Sequence, residues 1–199
     1  MSLRMLFALA ALCLGGALHG ADNTPLPGDS LYHLDVTLTD QDGRDFPLAS
    51  LRGKPVLVAM FYTSCRYICP LIIDSARGVE HALDASERDG LRIVLVSIDP
   101  DRDDVAALKR ISDRRRLDTG RWSLVRTDAA SVRRLAAALG VRYRALADGE
   151  FNHTSELVLL DADGRRRASS EASGPVPVES FLQATRALLN ASRNDPPGD

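Results

Sequence analysis

Residues 55–70 have the sequence PVLVAMFYTSCRYICP. The run 55–61 is continuously apolar, which predicts a short strand that is buried on both faces of a sheet. Two cysteines follow, Cys65 and Cys69, and Pro70 is suited to the first turn of a helix. This stretch therefore predicts a cysteine pair at the junction between a buried strand and a helix.

The position and spacing of Cys65 and Cys69 suggest two kinds of chemistry. The N–H groups and the dipole at a helix N-terminus stabilise a thiolate, and Arg66 adds a positive charge beside the thiols. Three residues separate the cysteines, so the two thiols lie about one helical turn apart and can either bind one soft metal ion or close a disulfide. A metal carrier and a dithiol enzyme both remain open at this point.

The N-terminus predicts export from the cytoplasm. Residues 1–21 contain Arg4, an apolar run over 5–14 and then small residues, which is the pattern of a secretory signal peptide. The apolar run is short for a membrane span, although retention as an uncleaved anchor stays an alternative. Lipidation at Cys13 is disfavoured because Leu12 is not the small residue that such a site requires. We expect the folded part in the periplasm or at the outer face of the inner membrane, where disulfides form readily.

The composition limits the remaining chain to one domain with no nucleic-acid partner. The net charge is −2 and the pI is about 6.1, with acidic and basic residues interleaved, so no charged surface for nucleic acid or anionic lipid is expected. We predict a monomeric domain over 28–190 and a disordered tail over 191–199. The arginine runs at 114–116 and 165–167 are interpreted as solvated faces.

Strand and helix patterns alternate along this domain. Asp-Gly turns at 40–43 and 161–164 predict a hairpin near each end of the domain. Buried strands joined through helices indicate an α/β fold: a central mixed sheet flanked by helices, with an N-terminal β-hairpin. The further predicted elements are strands at 91–98 and 123–125 and helices at 69–83, 103–115, 128–139 and 178–189. Asp103 and Asp104 are predicted to cap the second of these helices, and Asp128 and Gly140 to begin and end the third.

Several motifs together resemble the Sco/SenC family, in the family's order and over about residues 30–190. The resemblance implies a thioredoxin-like fold and copper binding through Cys65, Cys69 and His153. It also implies delivery of copper to, or reduction of the cysteines of, the binuclear copper site of cytochrome c oxidase. The motifs are GKPVLV at 53–58, CRYICP at 65–70, VSIDPDRD at 96–103, FNHT at 151–154 and DADGR at 161–165.

The same resemblance implies the partners. These are subunit II of cytochrome c oxidase as the copper acceptor and a thioredoxin-like reductant for the cysteine pair. Asp99, at the end of a predicted strand, is an oxygen candidate that could add to the ligand set for Cu(II). The chain departs from the family in residues 66–68, which could alter the redox potential and the choice of partner.

Two alternatives to a metallochaperone remain. The first is a thiol-disulfide oxidoreductase in which Cys65 attacks and Cys69 resolves, with no need for a metal or for His153. The second is a copper or redox sensor that binds copper but passes it to no client. An enzymatic activity is expected only under the first alternative.

Overall fold

A computed structural model describes residues 24–65 and 68–194 of the chain. Short 3₁₀ helices lie at Leu31–His33 and Leu48–Leu51. The α-helices of these ranges are α1 Ile68–Ala82, α2 Ala85–Gly90, α3 Val105–Arg115, α4 Ala129–Leu139 and α5 Glu179–Asn194. The strands are β1 Thr37–Asp40, β2 Asp45–Pro47, β3 Val56–Phe61, β4 Arg92–Ser97, β5 Trp122–Arg126, β6 Tyr143–Ala145, β7 Phe151–His153, β8 Glu156–Leu160 and β9 Arg166–Glu171.

A mixed sheet in the order β2-β1-β5-β4-β3-β8-β9 forms the centre of the described chain. β3, β4 and β5 are parallel neighbours, whereas β1 and β8 pair antiparallel with this group. Parallel neighbours require crossover connections, and α1 with α2, then α3, provide them. The predicted α/β fold with a mixed central sheet and an N-terminal hairpin is confirmed.

The apolar stretch that predicted a buried strand forms β3. All six of its residues are buried, because β4 and β8 flank it in the sheet and α1 packs against it. β8 is likewise buried from Leu157 to Leu160. The core thus lies around the strand that leads directly into the cysteine pair.

The two predicted Asp-Gly hairpins use the same turn chemistry. Asp40 Oδ1 accepts hydrogen bonds from the backbone N–H groups of Asp42 and Arg44, and Asp161 Oδ1 accepts from the equivalent groups two and four residues on. Gly43 has φ of 76°, a left-handed conformation that favours glycine. Both hairpins are confirmed.

Helix boundaries follow the predicted cap residues. Asp104 caps the N-terminus of α3, and Asp128 caps α4 by accepting from the N–H groups of Ala130 and Ser131. Gly140 ends α4 in the left-handed conformation at φ of 73°. Asp103, predicted together with Asp104 as a cap, is instead buried and accepts hydrogen bonds from Thr63 and Ser97.

Two parts of the structure had no counterpart in the predicted elements. α2 is a short helix closed by a capping box between Asp84 and Glu87. β6 and β7 form a separate two-stranded sheet, and His153 is the last residue of β7. α5 continues to Asn194, so the helix enters the segment 191–199 that was assigned to a tail.

Some predictions concern residues outside the described ranges. These are the signal peptide or anchor over 1–21, the disfavoured lipidation of Cys13, the charge of Arg66 and the end of the tail. Among the helices of residues 24–65 and 68–194, none has the length and apolar character needed to cross a membrane.

Candidate metal centre

The cysteine pair lies where β3 passes into α1. Cys69 is in the first turn of α1 and is 3% exposed, whereas Cys65 lies in the preceding loop and is half-buried. The backbone N–H of Cys69 donates to Cys65 Sγ at 3.3 Å, and both side chains are thiols with no disulfide between them. A helix N-terminus thus directs an N–H group at one thiol of the pair, as the sequence predicted.

His153 reaches this pair from a distant part of the chain. Its Nε2 lies 4.0 Å from Cys69 Sγ, although the two residues are separated by 84 positions in the sequence. The antiparallel pairing of β6 with β7 sets this position, because Tyr143 is the register partner of His153. The fold therefore places one thiol and one imidazole nitrogen face to face.

The hydrogen bond of the other ring nitrogen determines the tautomer of His153. Nδ1 lies 3.1 Å from the carbonyl oxygen of Thr154, and because a carbonyl only accepts, Nδ1 must carry the proton. Burial lowers the pKa of His153, which favours the neutral ring. Nε2 consequently presents a lone pair toward Cys69, as a histidine ligand must.

Burial dominates the chemistry of Cys69. It raises the pKa of the Cys69 thiol; the N–H of Tyr62, 3.4 Å from Cys69 Sγ, lowers it in part, and the proximity of Cys65 raises it further. The expectation that the helix N-terminus stabilises a thiolate therefore does not hold for Cys69 on its own. A bound cation would supply the missing positive charge and displace the proton.

The donor atoms are of the types that bind copper, although the structure does not group all of them into a closed metal site. Two thiols and a neutral imidazole are ligands that soft Cu(I) accepts. Within 24–65 and 68–194, however, no three His, Cys, Asp or Glu side chains are grouped closely enough to be recognised as a metal cluster. The 4.0 Å between Cys69 Sγ and His153 Nε2 leaves room for an ion between the two donor atoms, because metal–sulfur and metal–nitrogen bonds are each about 2 Å long.

Asp99, the oxygen candidate, makes its main contact elsewhere. Its buried carboxylate forms an ion pair with the Nε group of Arg102, and its carbonyl accepts the N–H groups of Arg102 and Asp103. Arg102 Nη2 also donates to the carbonyl of Gly149 at 2.5 Å, and its guanidinium lies 5.8 Å from the centre of the Phe151 ring. Asp99 thus anchors an arginine that holds the β6–β7 hairpin.

Tyr62 provides a second attachment for the same hairpin. Its hydroxyl donates to Glu150 Oε2 at 2.9 Å, and its ring makes edge contacts with Phe151 at 5.3 Å and with His153 at 5.9 Å. Tyr62 is only 3% exposed, so its ring packs inside the protein. This hairpin, residues 143–153, is called the histidine arm. It is therefore attached to the end of β3, beside the loop that carries Cys65.

Asp103 is the residue near the site whose role the sequence did not reveal. It is completely buried and accepts hydrogen bonds from the Thr63 N–H at 3.0 Å, the Thr63 hydroxyl at 2.5 Å and the Ser97 hydroxyl at 2.6 Å. No periodicity distinguishes it from Asp101 or Asp104, so only the folded chain identifies its role.

Comparison with known proteins identifies relatives. A protein of Stutzerimonas stutzeri is 27% identical over 162 residues, which cover 79% of this chain and 77% of that protein. The structure of Bradyrhizobium japonicum ScoI with copper bound is 26% identical, with a TM-score of 0.63 over 78% of this chain and 96% of that one. BsSco, a member of the Sco family of cytochrome c oxidase assembly proteins, shares the fold at 21% identity, with a TM-score of 0.66 over 77% and 90%.

The family assignment rests on the sequence as a whole. The sequence model described as SCO1/SenC matches residues 27–189, which span the sheet, the cysteine pair, the histidine arm and most of α5. The solved neighbours share the fold described above. This chain belongs to the SCO1/SenC family.

Proposed function

We propose that this protein is an exported copper metallochaperone that binds copper through Cys65, Cys69 and His153. It delivers the ion to, or reduces the cysteines of, the binuclear copper site of cytochrome c oxidase. The observation that carries the proposal is the 4.0 Å approach of His153 Nε2 to Cys69 Sγ, with the ring held in the tautomer that leaves Nε2 able to bind. The copper bound to the related ScoI and the place of BsSco among oxidase assembly proteins support it.

Each ligand has a distinct part in loading. Copper arrives as cargo, and as Cu(I) it is a soft ion that thiolates and imidazole hold in few-coordinate geometry. His153 needs no deprotonation, because burial lowers its pKa and favours the neutral ring, and the Thr154 carbonyl places the single ring proton on Nδ1. Cys69 must lose its proton on binding, so loading releases protons to the solvent. Asp99 is left out of the proposed set since its carboxylate is paired with Arg102.

The proposed setting follows from the N-terminal residues. Residues 1–21 would direct the chain out of the cytoplasm, and the domain would act as a monomer in the periplasm or at the outer face of the inner membrane. The copper acceptor would be subunit II of cytochrome c oxidase. A thioredoxin-like reductant would keep the cysteine pair open, because a disulfide offers no thiolate to the metal.

A thiol-disulfide oxidoreductase is the second candidate, and the unequal exposure of the cysteines favours it. The half-buried Cys65 is reachable by a client, whereas Cys69 is 3% exposed. Cys65 thiolate would attack one sulfur of a client disulfide, break the client S–S bond and release one client thiolate. Cys69 thiolate would then attack Cys65 sulfur and release the second. The client gains two electrons, and Cys65 with Cys69 loses them as a disulfide.

An anaerobic Cu(I) titration of the reduced protein, without residues 1–21 and against a competing chelator, tests the proposal. We expect tight one-to-one binding that is abolished by Cys65→Ala or Cys69→Ala and severely weakened by His153→Ala. His33→Ala is the matched control, because His33 is exposed and its ring contacts the carbonyl of Pro27. Binding that does not depend on His153, together with ready cycling of a Cys65–Cys69 disulfide, would replace the chaperone with the oxidoreductase.

A further inference from the structure

A cleft of about 620 Å³ opens beside the cysteine pair. Cys65 and Cys69 line it at the junction of β3 and α1, and Ile73 of α1 adds an apolar surface. Ile111, Arg114 and Arg115 of α3 also line the cleft, and together they are called its α3 wall. A volume of this size falls in the range, roughly 300–1,000 Å³, of sites that hold a drug-sized ligand, so a short piece of extended peptide fits it.

The α3 wall of this cleft carries an arginine with no carboxylate beside it. Arg115 is engaged, because its Nη1 lies 3.0 Å from Asp74 Oδ1. Asp113 is engaged as well, since Lys109 Nζ lies 3.2 Å from it. Arg114 is exposed, and within residues 24–65 and 68–194 no acidic side chain pairs with it. The described lining of the cleft includes no Asp or Glu.

His153 does not belong to the described lining of this cleft. It lines a different depression, with Tyr143 and Thr154 of the hairpin region. A partner in the cleft can therefore reach the thiols without first displacing the hairpin that carries His153. This arrangement suits a hand-off in which client and histidine contact the cysteine pair from separate surfaces.

Basic residues near the C-terminus of a helix also have a simpler explanation, because they interact favourably with the helix dipole. Arg110, Arg114 and Arg116 would all serve that purpose to some extent. The dipole does not account for the position of Arg114 in the lining of the cleft that Cys65 and Cys69 also line. The test below therefore compares Arg114 with Arg110, which is exposed on the same helix and does not line the described part of the cleft.

We propose that the cleft binds an extended client segment that carries an acidic side chain close to its cysteine. Arg114 pairs with that carboxylate, and the client sulfur faces Cys65. The inference rests on the proposed function, because it takes a cysteine-bearing client as the partner of this site. It adds the charge that the client segment must have, and it gives Arg114 a role beyond that of a solvated residue.

The probes are three short capped peptides with one cysteine, flanked on both sides by Glu, Gln or Lys, each as a mixed disulfide with thionitrobenzoate. The protein is the Cys69→Ser variant, so that the product is retained. Cys65 thiolate attacks the peptide sulfur, the bond from that sulfur to thionitrobenzoate breaks, and coloured thionitrobenzoate leaves with the electron pair. The measured quantity is the second-order rate constant for each peptide.

We expect the Glu peptide to react about three- to fivefold faster than the Gln peptide, which corresponds to the upper range of an exposed ion pair. The Lys peptide should be slowest, and high salt should shrink the differences. Arg114→Glu should reverse the order, whereas Arg114→Lys should keep it. Arg110→Glu should leave most of the preference for the Glu peptide in place.

An unchanged preference in Arg114→Glu would overturn the inference. An equal loss of the preference for the Glu peptide in Arg114→Glu and Arg110→Glu would overturn it too. Such a result would indicate an effect of the general charge of α3 and not a pairing in the cleft. The Cu(I) titration distinguishes a failure of this inference from a failure of the proposed function. Arg114→Glu should bind copper like the parent, and a parent that failed to bind copper would still report its peptide preference through Cys65.

Discussion

Asp103 accepts hydrogen bonds from both the backbone N–H and the hydroxyl of Thr63, at 3.0 and 2.5 Å. Thr63 is two residues before Cys65, and Asp103 lies in the connection between β4 and α3. The carboxylate also accepts from the Ser97 hydroxyl at the end of β4. The loop that carries the first cysteine is thereby tied to the C-terminal end of β4, in the middle of the central sheet.

Replacing Asp103 with Asn should change how stability depends on pH. Burial raises the pKa of Asp103 in the folded state, while its bonds from Ser97 and Thr63 lower it in part. The folded state therefore holds this proton more tightly than the unfolded state, whose pKa is about 3.9. The stabilising contribution is complete at lower pH and is lost as pH rises through the folded-state pKa.

Urea unfolding of parent and Asp103→Asn at several values between about pH 4 and pH 7 measures this effect. The stability of the parent relative to the variant should fall as pH rises across that window. Thr63→Val, which keeps the carboxylate and removes one donor, should retain the pH dependence. If the difference in the free energy of unfolding between the parent and Asp103→Asn did not change with pH, burial would not raise the pKa of Asp103.

Arg102→Lys should loosen the hairpin that carries His153. Lysine keeps the charge but lacks the planar fork that contacts Asp99, Gly149 and Phe151 together. We expect amide hydrogen exchange over residues 143–153 to rise about tenfold, as the loss of one hydrogen bond to a charged group predicts. Copper affinity should fall by less than it does in His153→Ala.

The matched control is Arg133→Lys, an exposed position on α4. It should leave both exchange and copper affinity unchanged. If Arg102→Lys protected the hairpin amides as well as the parent does, the Arg102 contacts would have no part in positioning His153.

Tyr62→Phe isolates the second attachment of the hairpin. The substitution removes the hydroxyl that donates to Glu150 Oε2 and keeps the ring that packs on Phe151. We expect a loss of about 1–2 kcal/mol in the free energy of unfolding, measured with urea. Tyr143→Phe is the control, because it removes a hydroxyl without the loss of a hydrogen bond to any described residue. It should change the free energy of unfolding by less than about 0.5 kcal/mol. If Tyr62→Phe were as stable as Tyr143→Phe, the Tyr62 hydroxyl would make no specific contribution to stability.

Gly78→Ala should destabilise the protein although alanine is the better helix former. A Cβ at Gly78 would lie 2.0 Å from the carbonyl oxygen of Pro175, which packs on α1. We expect overpacking to cost about 1–3 kcal/mol, which a helix-propensity gain of about 1 kcal/mol offsets only in part. Thermal unfolding should show a lower Tm for Gly78→Ala and little change for Gly28→Ala, where a Cβ meets nothing within 4 Å. A higher Tm for Gly78→Ala would show that α1 and Pro175 can move apart at low cost.

Local rules accounted for much of the fold. The apolar run of β3, the Asp-Gly turns and the caps Asp128 and Gly140 each act over a few residues, so the sequence pattern was enough to predict them. The cysteine pair belongs to the same class, because its place at the start of α1 depends only on the segment around it. Short elements such as α2, β6 and β7 were missed, since three to six residues carry little periodicity.

The sequence by itself determined the strand-to-helix junction with its two cysteines and, through the family resemblance, named His153 as their companion. Only the tertiary structure decided that His153 Nε2 faces Cys69 Sγ, that Asp103 holds the cysteine loop, and that Arg114 shares a cleft with the thiols. These relationships join residues distant in the chain. Their distances depend on sheet order, hairpin register and burial, and no local pattern of residues encodes them.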